Sequence, residues 1–249
     1  MALEASKNTD LIISAGGDGT LHEVVNGIMS SKRKPALTVF PIGTGNDFSR
    51  NFNIIANFST LQKALIKPSY ESLDIGEVQF PKRNTVKYFV NILDVGMGAE
   101  VVKKMNSGSR LFGPQLSYLW TITKTLITYH AQNISIKTDD GMETSAKTMS
   151  YVIANGAWFG NDIKIAPDAL PNDGKLNFTH LKDFSFWEYL VNLPKAKSGK
   201  HITHSKVEYG NSNSYEVSGK GEMEADGEFV GALPMSVKCI PRALEFLLY

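Results

Sequence analysis

Six residues near the start of the chain constrain its fold more than any others: Ala15-Gly16-Gly17-Asp18-Gly19-Thr20. Leu11, Ile12 and Ile13 precede them, a short apolar and partly β-branched run of the kind a buried strand needs. Leu21, Val24, Val25 and Ile28 follow at i, i+3, i+4 and i+7, one face of a helix. Thr20 and Glu23 have capping-box spacing, which predicts a helix starting at Thr20. The glycines therefore stand at a strand-to-helix turn. Bare backbone N–H groups and the positive end of a helix dipole suit a phosphate there, and the missing Cβ atoms let it come close. Asp18 is out of place in a pure anion cradle, because a carboxylate repels phosphate. It calls for a cation or a hydroxyl between the two.

A second junction of the same kind follows. Leu37 to Phe40 reads as a strand, and Pro41-Ile42-Gly43-Thr44-Gly45-Asn46-Asp47-Phe48 as its turn, with Asn46 or Asp47 capping a short helix through Phe52. Ser59 and Gln62 predict another capped helix, ended by Pro68. Strand–helix–strand–helix is the alternation of a parallel sheet with crossovers, and two turns at the carboxyl ends of adjacent strands form a ligand-binding crevice. From Leu73 the pattern changes to strand-like runs at 73–78, 88–95, 134–137, 149–154, 175–181, 206–209, 215–218, 223–225 and 236–240. One helix, with Pro114 in its first turn and Leu116, Leu119, Trp120, Leu126 and Ile127 along a face, interrupts them. A shorter one runs from Ser185 to Leu193 before Pro194. The expected architecture is an α/β nucleotide-binding domain, a three-layer parallel sheet, over 1–72. An antiparallel β-sandwich over 73–249 follows, its last residues returning to the first domain.

The totals exclude several classes. A net charge of +1 over 249 residues provides no global field for nucleic acid. Cys239 is the only cysteine, so no internal disulfide forms and nothing argues for export. Met1 to Asp10 lacks the apolar core of a signal peptide, and no run approaches the ~20 apolar residues of a membrane span. A soluble cytoplasmic protein is expected.

Two distant stretches carry further chemistry. Asp173 lies in a turn, Leu170-Pro171-Asn172-Asp173-Gly174-Lys175, where one carboxylate and main-chain carbonyls suit a hard cation; a metal-free hairpin turn is the alternative. Glu224-Ala225-Asp226-Gly227-Glu228 crowds carboxylates that raise one another's pKa and suit a general base or metal ligand; a solvated Asp-Gly turn is the alternative. His22, beside the first turn, has at most a supporting role.

Taken together, Gly16-Gly17-Asp18-Gly19-Thr20 with Glu23, Pro41 to Phe48, Ala166-Pro167 through Asp173-Gly174, and Asp226-Gly227-Glu228 resemble the diacylglycerol kinase catalytic family of lipid kinases in its bacterial soluble form. The resemblance covers almost the whole chain. It implies transfer of the γ-phosphoryl of ATP to a lipid hydroxyl, in a cleft between an ATP-binding domain and a β-sandwich. It places Gly16, Gly17, Asp18, Gly19, Thr20 and Glu23 on the nucleotide loop and Thr44 on a second nucleotide contact. Glu228 becomes the general base, with Asp18 at the catalytic centre and Asp47 in a network near the base. Asp173 with the carbonyls of Leu170 and Lys175 matches a structural magnesium site. The implied partners are ATP and a lipid at the inner membrane face, without nucleic acid, and a homodimer stays open. Family members carry some tens of residues before the glycine motif, where this sequence has Met1 to Thr9, so a shortened or truncated start is expected. Two other functions stay open: an NAD kinase relative, from the same glycine turn, and a nucleotide- or lipid-binding module without catalysis.

Overall fold

The computed structural model describes residues 1–81, 83–107, 114–160 and 162–249. The first part runs α1 (Ala2–Ala5), β1 (Leu11–Gly16), α2 (Asp18–Met29), β2 (Ala36–Pro41), α3 (Asp47–Arg50) and α4 (Phe58–Ile66). β1 and β2 pair in parallel, from Leu11 against Ala36 to Gly16 against Pro41, so α2 is the crossover between them. It turns Leu21, Val25, Ile28 and Met29 inward onto Leu37, Val39, Phe48 and Phe246. Each such side chain contributes about 1.5–3 kcal/mol on burial, which seats the helix on the sheet.

Three helix starts differ from the capping patterns. α3 has Asn46 at its N-cap without a side-chain cap and ends at Arg50, short of Phe52. α2 begins at Asp18 with Gly17 as its N-cap and no side-chain cap, so its open N–H groups lie in the glycine turn itself. α4 is capped by Asn57, which accepts from Thr60 N at 3.1 Å, rather than by Ser59.

The rest comprises β3 (Ser69–Phe80), β4 (Thr85–Phe89), β5 (Ile92–Gly96), α5 (Met97–Ser107), α6 (Pro114–Thr128), β6 (Gln132–Thr138), β7 (Glu143–Ala154), β8 (Trp158–Phe159), β9 (Ile163–Lys164), β10 (Leu176–Lys182), α7 (Phe186–Lys197), β11 (Val207–Ser212), β12 (Ser214–Gly219), β13 (Glu222–Ala225), β14 (Glu228–Ala232) and β15 (Met235–Leu248). The side chains of Pro114, Leu116 and Leu119 lie outside the described residues. Antiparallel pairing dominates here, and the sandwich closes on Leu93, Tyr151, Ile153, Phe178, Tyr215 and Met223. The run at 88–95 is two strands, β4 and β5, parted at Val90 and Asn91. α5 carries no capping pattern and enters only with the structure. The last helix continues through Pro194 to Lys197. Losing one backbone hydrogen bond there costs about 3 kcal/mol, and packing of Leu193 and Ala196 onto the cluster with Ile163 and Leu181 offsets it.

β15 ties the two parts together. Its first half pairs with β12, Met235 against Val217. Past a bulge between Ile240 and Leu244, Phe246 pairs in parallel with Leu37 of β2. β3 runs antiparallel to β15 along both halves, from Gln79 opposite Ser236 to Ser69 opposite Leu248. The parallel sheet of the first part is thus β1, β2 and the far end of the chain, flanked by an antiparallel strand.

Candidate active site

The two glycine turns touch. A methyl group on Gly43 would stand 2.3 Å from Gly17 Cα and 2.8 Å from Gly17 N, so no side chain fits at position 43. Asn46, at φ 56°, folds its side chain back, accepting from Gly43 N at 3.0 Å and donating to Gly43 O at 2.8 Å. Asp18 spans from one turn to the other. Its Oδ2 accepts from Asp47 N and its Oδ1 from Phe48 N, each at 3.2 Å. The carboxylate thus meets the open N-terminus of α3. Burial, then the charge of Asp47, pushes the Asp18 carboxyl up to about 6, against the pull of those two N–H groups. Beneath the turns a small cavity is lined by Ser14, Gly16, Gly17, Asn46 and Ser49, and the buried Ser14 hydroxyl has no partner among the described residues. Thr20 packs over Gly16, where an added methyl would lie 2.5 Å from Thr20 Oγ1. Thr20, Glu23 and Thr44 are all exposed.

The β13–β14 hairpin approaches α2 from the sandwich side. Its turn holds Asp226 at φ 50° and Gly227 at φ 87°, both in the left-handed region. Asp226, 6% exposed, accepts from Val90 N at 3.0 Å, Asn91 N at 2.9 Å and Ile92 N at 3.0 Å. It also meets His22 Nδ1 of α2 at 3.2 Å. The break between β4 and β5 is the place where these N–H groups turn to Asp226 instead of a neighbouring strand. Glu224 Oε2 accepts from Gly227 N at 2.8 Å, holding the other side of the turn. Glu224 is buried opposite Asp94 on β5, and burial followed by the Asp94 charge pushes its carboxyl well above the usual range. The turn so held delivers Glu228 to the first glycine turn: a methyl on Gly19 would stand 2.8 Å from Glu228 Oε1. Glu228 itself is exposed.

An asparagine network joins the second turn to the sandwich. Asn51 donates to Phe48 O and to Asn91 Oδ1, and accepts from Ala157 N. Asn91 donates to Trp158 O, and Asn155 to Asp74 O and Val90 O. Gly156 is required by this crowding, since its Cβ would fall 2.2 Å from Asn91 Oδ1. Asp47 Oδ1 accepts from Asp162 N at 3.3 Å and lies 3.5 Å from Arg50 Nε.

The structure thus brings Gly16, Gly17, Asp18, Gly19, Thr20, Asp47 and Glu228 close to one another around the two turns. The Asp173 turn lies elsewhere, on the β3–β15 ribbon. Asp74, fully buried, accepts from Gly174 N at 2.6 Å and from Arg242 N at 2.8 Å at the bulge. Asp173 is exposed and its Oδ1 accepts from Lys175 N at 3.0 Å, while Oδ2 takes no hydrogen bond among the described residues. An exposed carboxylate with one open oxygen is a hard-oxygen donor of the type magnesium takes. The sequence singles out Asp226 within the carboxylate cluster that ends at Glu228, whereas no local signal in it marks Asp94, Asn51 or Asn91.

Residues 1–78 match the diacylglycerol kinase catalytic domain, and residues 91–248 match the YegS C-terminal NAD kinase beta sandwich-like domain. The diacylglycerol kinase of Bacillus subtilis is 31% identical over 237 residues, covering 92% of this chain and 75% of that protein. The diacylglycerol kinase of Staphylococcus saprophyticus is 29% identical over 235 residues, covering 94% of this chain and 75% of that protein. A crystal structure of a Bacillus anthracis diacylglycerol kinase superposes with TM-score 0.72 at 18% identity, covering 100% of this chain and 79% of that one. An Archaeoglobus fulgidus NAD kinase in complex with ATP has TM-score 0.53 at 16% identity, covering 98% and 79%. At such identities the two structures speak to fold alone.

Proposed function

Because this chain belongs to the diacylglycerol kinase family of lipid kinases, we propose that it transfers the γ-phosphoryl group of ATP to a hydroxyl of diacylglycerol or a related lipid, with Glu228 as general base. The observation that carries this is the position of Glu228, an exposed carboxylate from the sandwich set against Gly19 at the N-terminus of α2. Backbone N–H groups of Gly16 to Thr20, with the helix dipole behind them, hold the phosphates, and Glu23 and Thr44 contact the nucleotide. Asp18 keeps the second turn closed on the first, and Asp47 extends that hold to Asp162 and Arg50. The lipid oxygen forms its bond to the γ-phosphorus as its proton passes to Glu228, and ADP leaves with the electrons of the broken P–O bond. Such transfer is mostly positioning and charge neutralisation, which two touching turns and one facing carboxylate support. Magnesium would be held by Asp173 with the carbonyls of Leu170 and Lys175. Bound there, it would stiffen the turn on the β3–β15 ribbon.

The test incubates the protein with γ-labelled ATP, magnesium and mixed micelles of diacylglycerol and other hydroxylated lipids. A labelled phospholipid is expected. ATP binding by calorimetry without any labelled lipid would leave a binding module, and formation of NADP from NAD would make it an NAD kinase relative.

A further inference from the structure

We propose that a cavity beside β10 and β11 of the sandwich binds a small neutral polyol, a free sugar or cyclitol carrying vicinal hydroxyls. The cavity measures about 140 Å³, the liquid volume of about five waters. Asp168, Asn177, Tyr209 and Asn211 line it, with Ala166 and Pro167 on one wall. On the paired strands Asn177 stands opposite Asn211 and Thr179 opposite Tyr209, so the two amides and the phenol share a face. Thr179 Oγ1 donates to Ile165 O at 2.8 Å, which turns that face toward the segment carrying Ala166 to Asp168. Among the described residues β11 pairs with β10 alone, so the cavity lies beside an edge strand. It shares no residue with the two glycine turns or with the turn at 170–175.

Asn177 carries the inference. It is 8% exposed, and its side-chain amide makes no hydrogen bond among the described residues, not even with the amide of Asn211 beside it. Burying an amide without a partner is costly, and the large majority of buried polar side chains have one. A ligand in the cavity supplies it. Tyr209 Oη accepts from Ile202 N at 3.0 Å, which leaves its own proton to donate. Asp168 Oδ2 meets His201 Nε2 at 2.8 Å, and the His201 ring stands edge-on to Tyr209 with centroids 4.7 Å apart. That contact fixes the carboxylate and leaves Oδ1 open. Donors and acceptors are therefore balanced: two carboxamides that both give and take, one phenolic proton and one carboxylate oxygen. A hydroxyl also gives and takes, and one carboxamide can hold two neighbouring hydroxyls at once. No lysine or arginine lines the cavity and Asp168 repels an anion, which excludes a phosphate or carboxylate ligand. A single carboxylate already bound to histidine is a poor cation site. An apolar ligand would strand the amides.

Saturation-transfer NMR and calorimetry with myo-inositol, D-glucose and glycerol test it, with inorganic phosphate and cyclohexanol as controls. Inositol or glucose is expected to bind with a Kd of about 1 mM, and glycerol about tenfold more weakly, from the affinity that so few atoms supply. The controls should not bind. N177L is expected to lose at least about tenfold of the affinity while its thermal midpoint holds or rises, because the fold makes no use of the amide. N211A, at an exposed position, should lose about fivefold with its midpoint unchanged. Equal affinity in all three proteins overturns the proposal, as does binding of phosphate or cyclohexanol in preference to the polyols. So does the absence of polyol binding at about 50 mM, or a lowered midpoint in N177L with N211A binding as wild type, which would make the amide part of the fold. None of these readouts involves ATP or a lipid, so the site stands or falls apart from the phosphoryl transfer proposed above.

Discussion

Replacing Asp226 should damage the fold of this protein more than replacing Glu228, although of the two only Glu228 is proposed to touch substrate. The Asp226 carboxylate serves three buried backbone N–H groups, of Val90, Asn91 and Ile92, and meets His22 as well. In Asp226→Ala those donors lose their acceptor at the gap between β4 and β5. A buried donor without a partner costs about 1–3 kcal/mol. Some relief from water entering the gap brings the sum for three to about 4 kcal/mol. Alanine at φ 50° adds about 1 kcal/mol of backbone strain, for about 5 kcal/mol in all. That is a large share of the 5–15 kcal/mol by which a domain is stable. Asp226→Asn keeps one oxygen, which accepts from Asn91 N and Ile92 N, and asparagine tolerates the left-handed backbone. It presents an NH2 group to Val90 N, so one donor is lost, for about 2 kcal/mol. Urea unfolding followed by tryptophan fluorescence and circular dichroism reads both. An alanine variant within 1 kcal/mol of wild type, or an asparagine variant as damaged as alanine, would refute the account of this turn.

Glu228→Gln should lower kcat about 10²–10⁴-fold with ATP affinity unchanged by calorimetry; an unaltered kcat removes Glu228 from the base role. Gly43→Ala should weaken ATP binding at least about tenfold and lower the thermal midpoint by about 5 °C, because its methyl meets the backbone of Gly17, which cannot rotate away; normal ATP binding would show that the turns need not touch. Asp94, fully buried, has its carboxyl pushed by burial from the usual 3.8 up to about 6, so between those values the folded state holds a proton that the unfolded state has released. Its contribution therefore favours folding least above pH 6 and loses about 3 kcal/mol as pH rises from 4 to 6. The stability difference between wild type and Asp94→Asn should shift by about that amount across the window, and a difference independent of pH sinks the assignment. Glu188→Ala removes both the reciprocal cap with Ser185 and the Lys206 pair, so α7 should lose about 1 kcal/mol by urea unfolding; no loss would mean that packing alone holds the helix start.

The strand, glycine turn and amphipathic helix from Leu11 to Ile28 were legible because their signals are local: a short β-branched run, residues without Cβ atoms, and apolar positions at helical spacing. The same holds for the second turn and for most strands of the sandwich. Locality also explains the misplaced edges. Thr20 and Ser59 have capping patterns that the backbone passes over, since Asn57 and the Gly17 turn reach the helix starts first. Pro194 reads as a stop, yet buried contacts of its neighbours carry the helix past it.

The amino-acid sequence alone determined which residues can bear phosphate, base and cation chemistry, and how the chain punctuates itself. Tertiary structure decided which of them meet. It set Asp18 on the backbone N–H groups of Asp47 and Phe48. It brought Asp226 to N–H groups more than 130 positions earlier in the chain, and it laid Phe246 beside Leu37 to complete the parallel sheet. The reason is physical. A turn or a helix face is specified by residues within a few positions, whereas a buried carboxylate takes whatever donors the packed sheets leave without a partner, and those are defined only once the distant strands have paired.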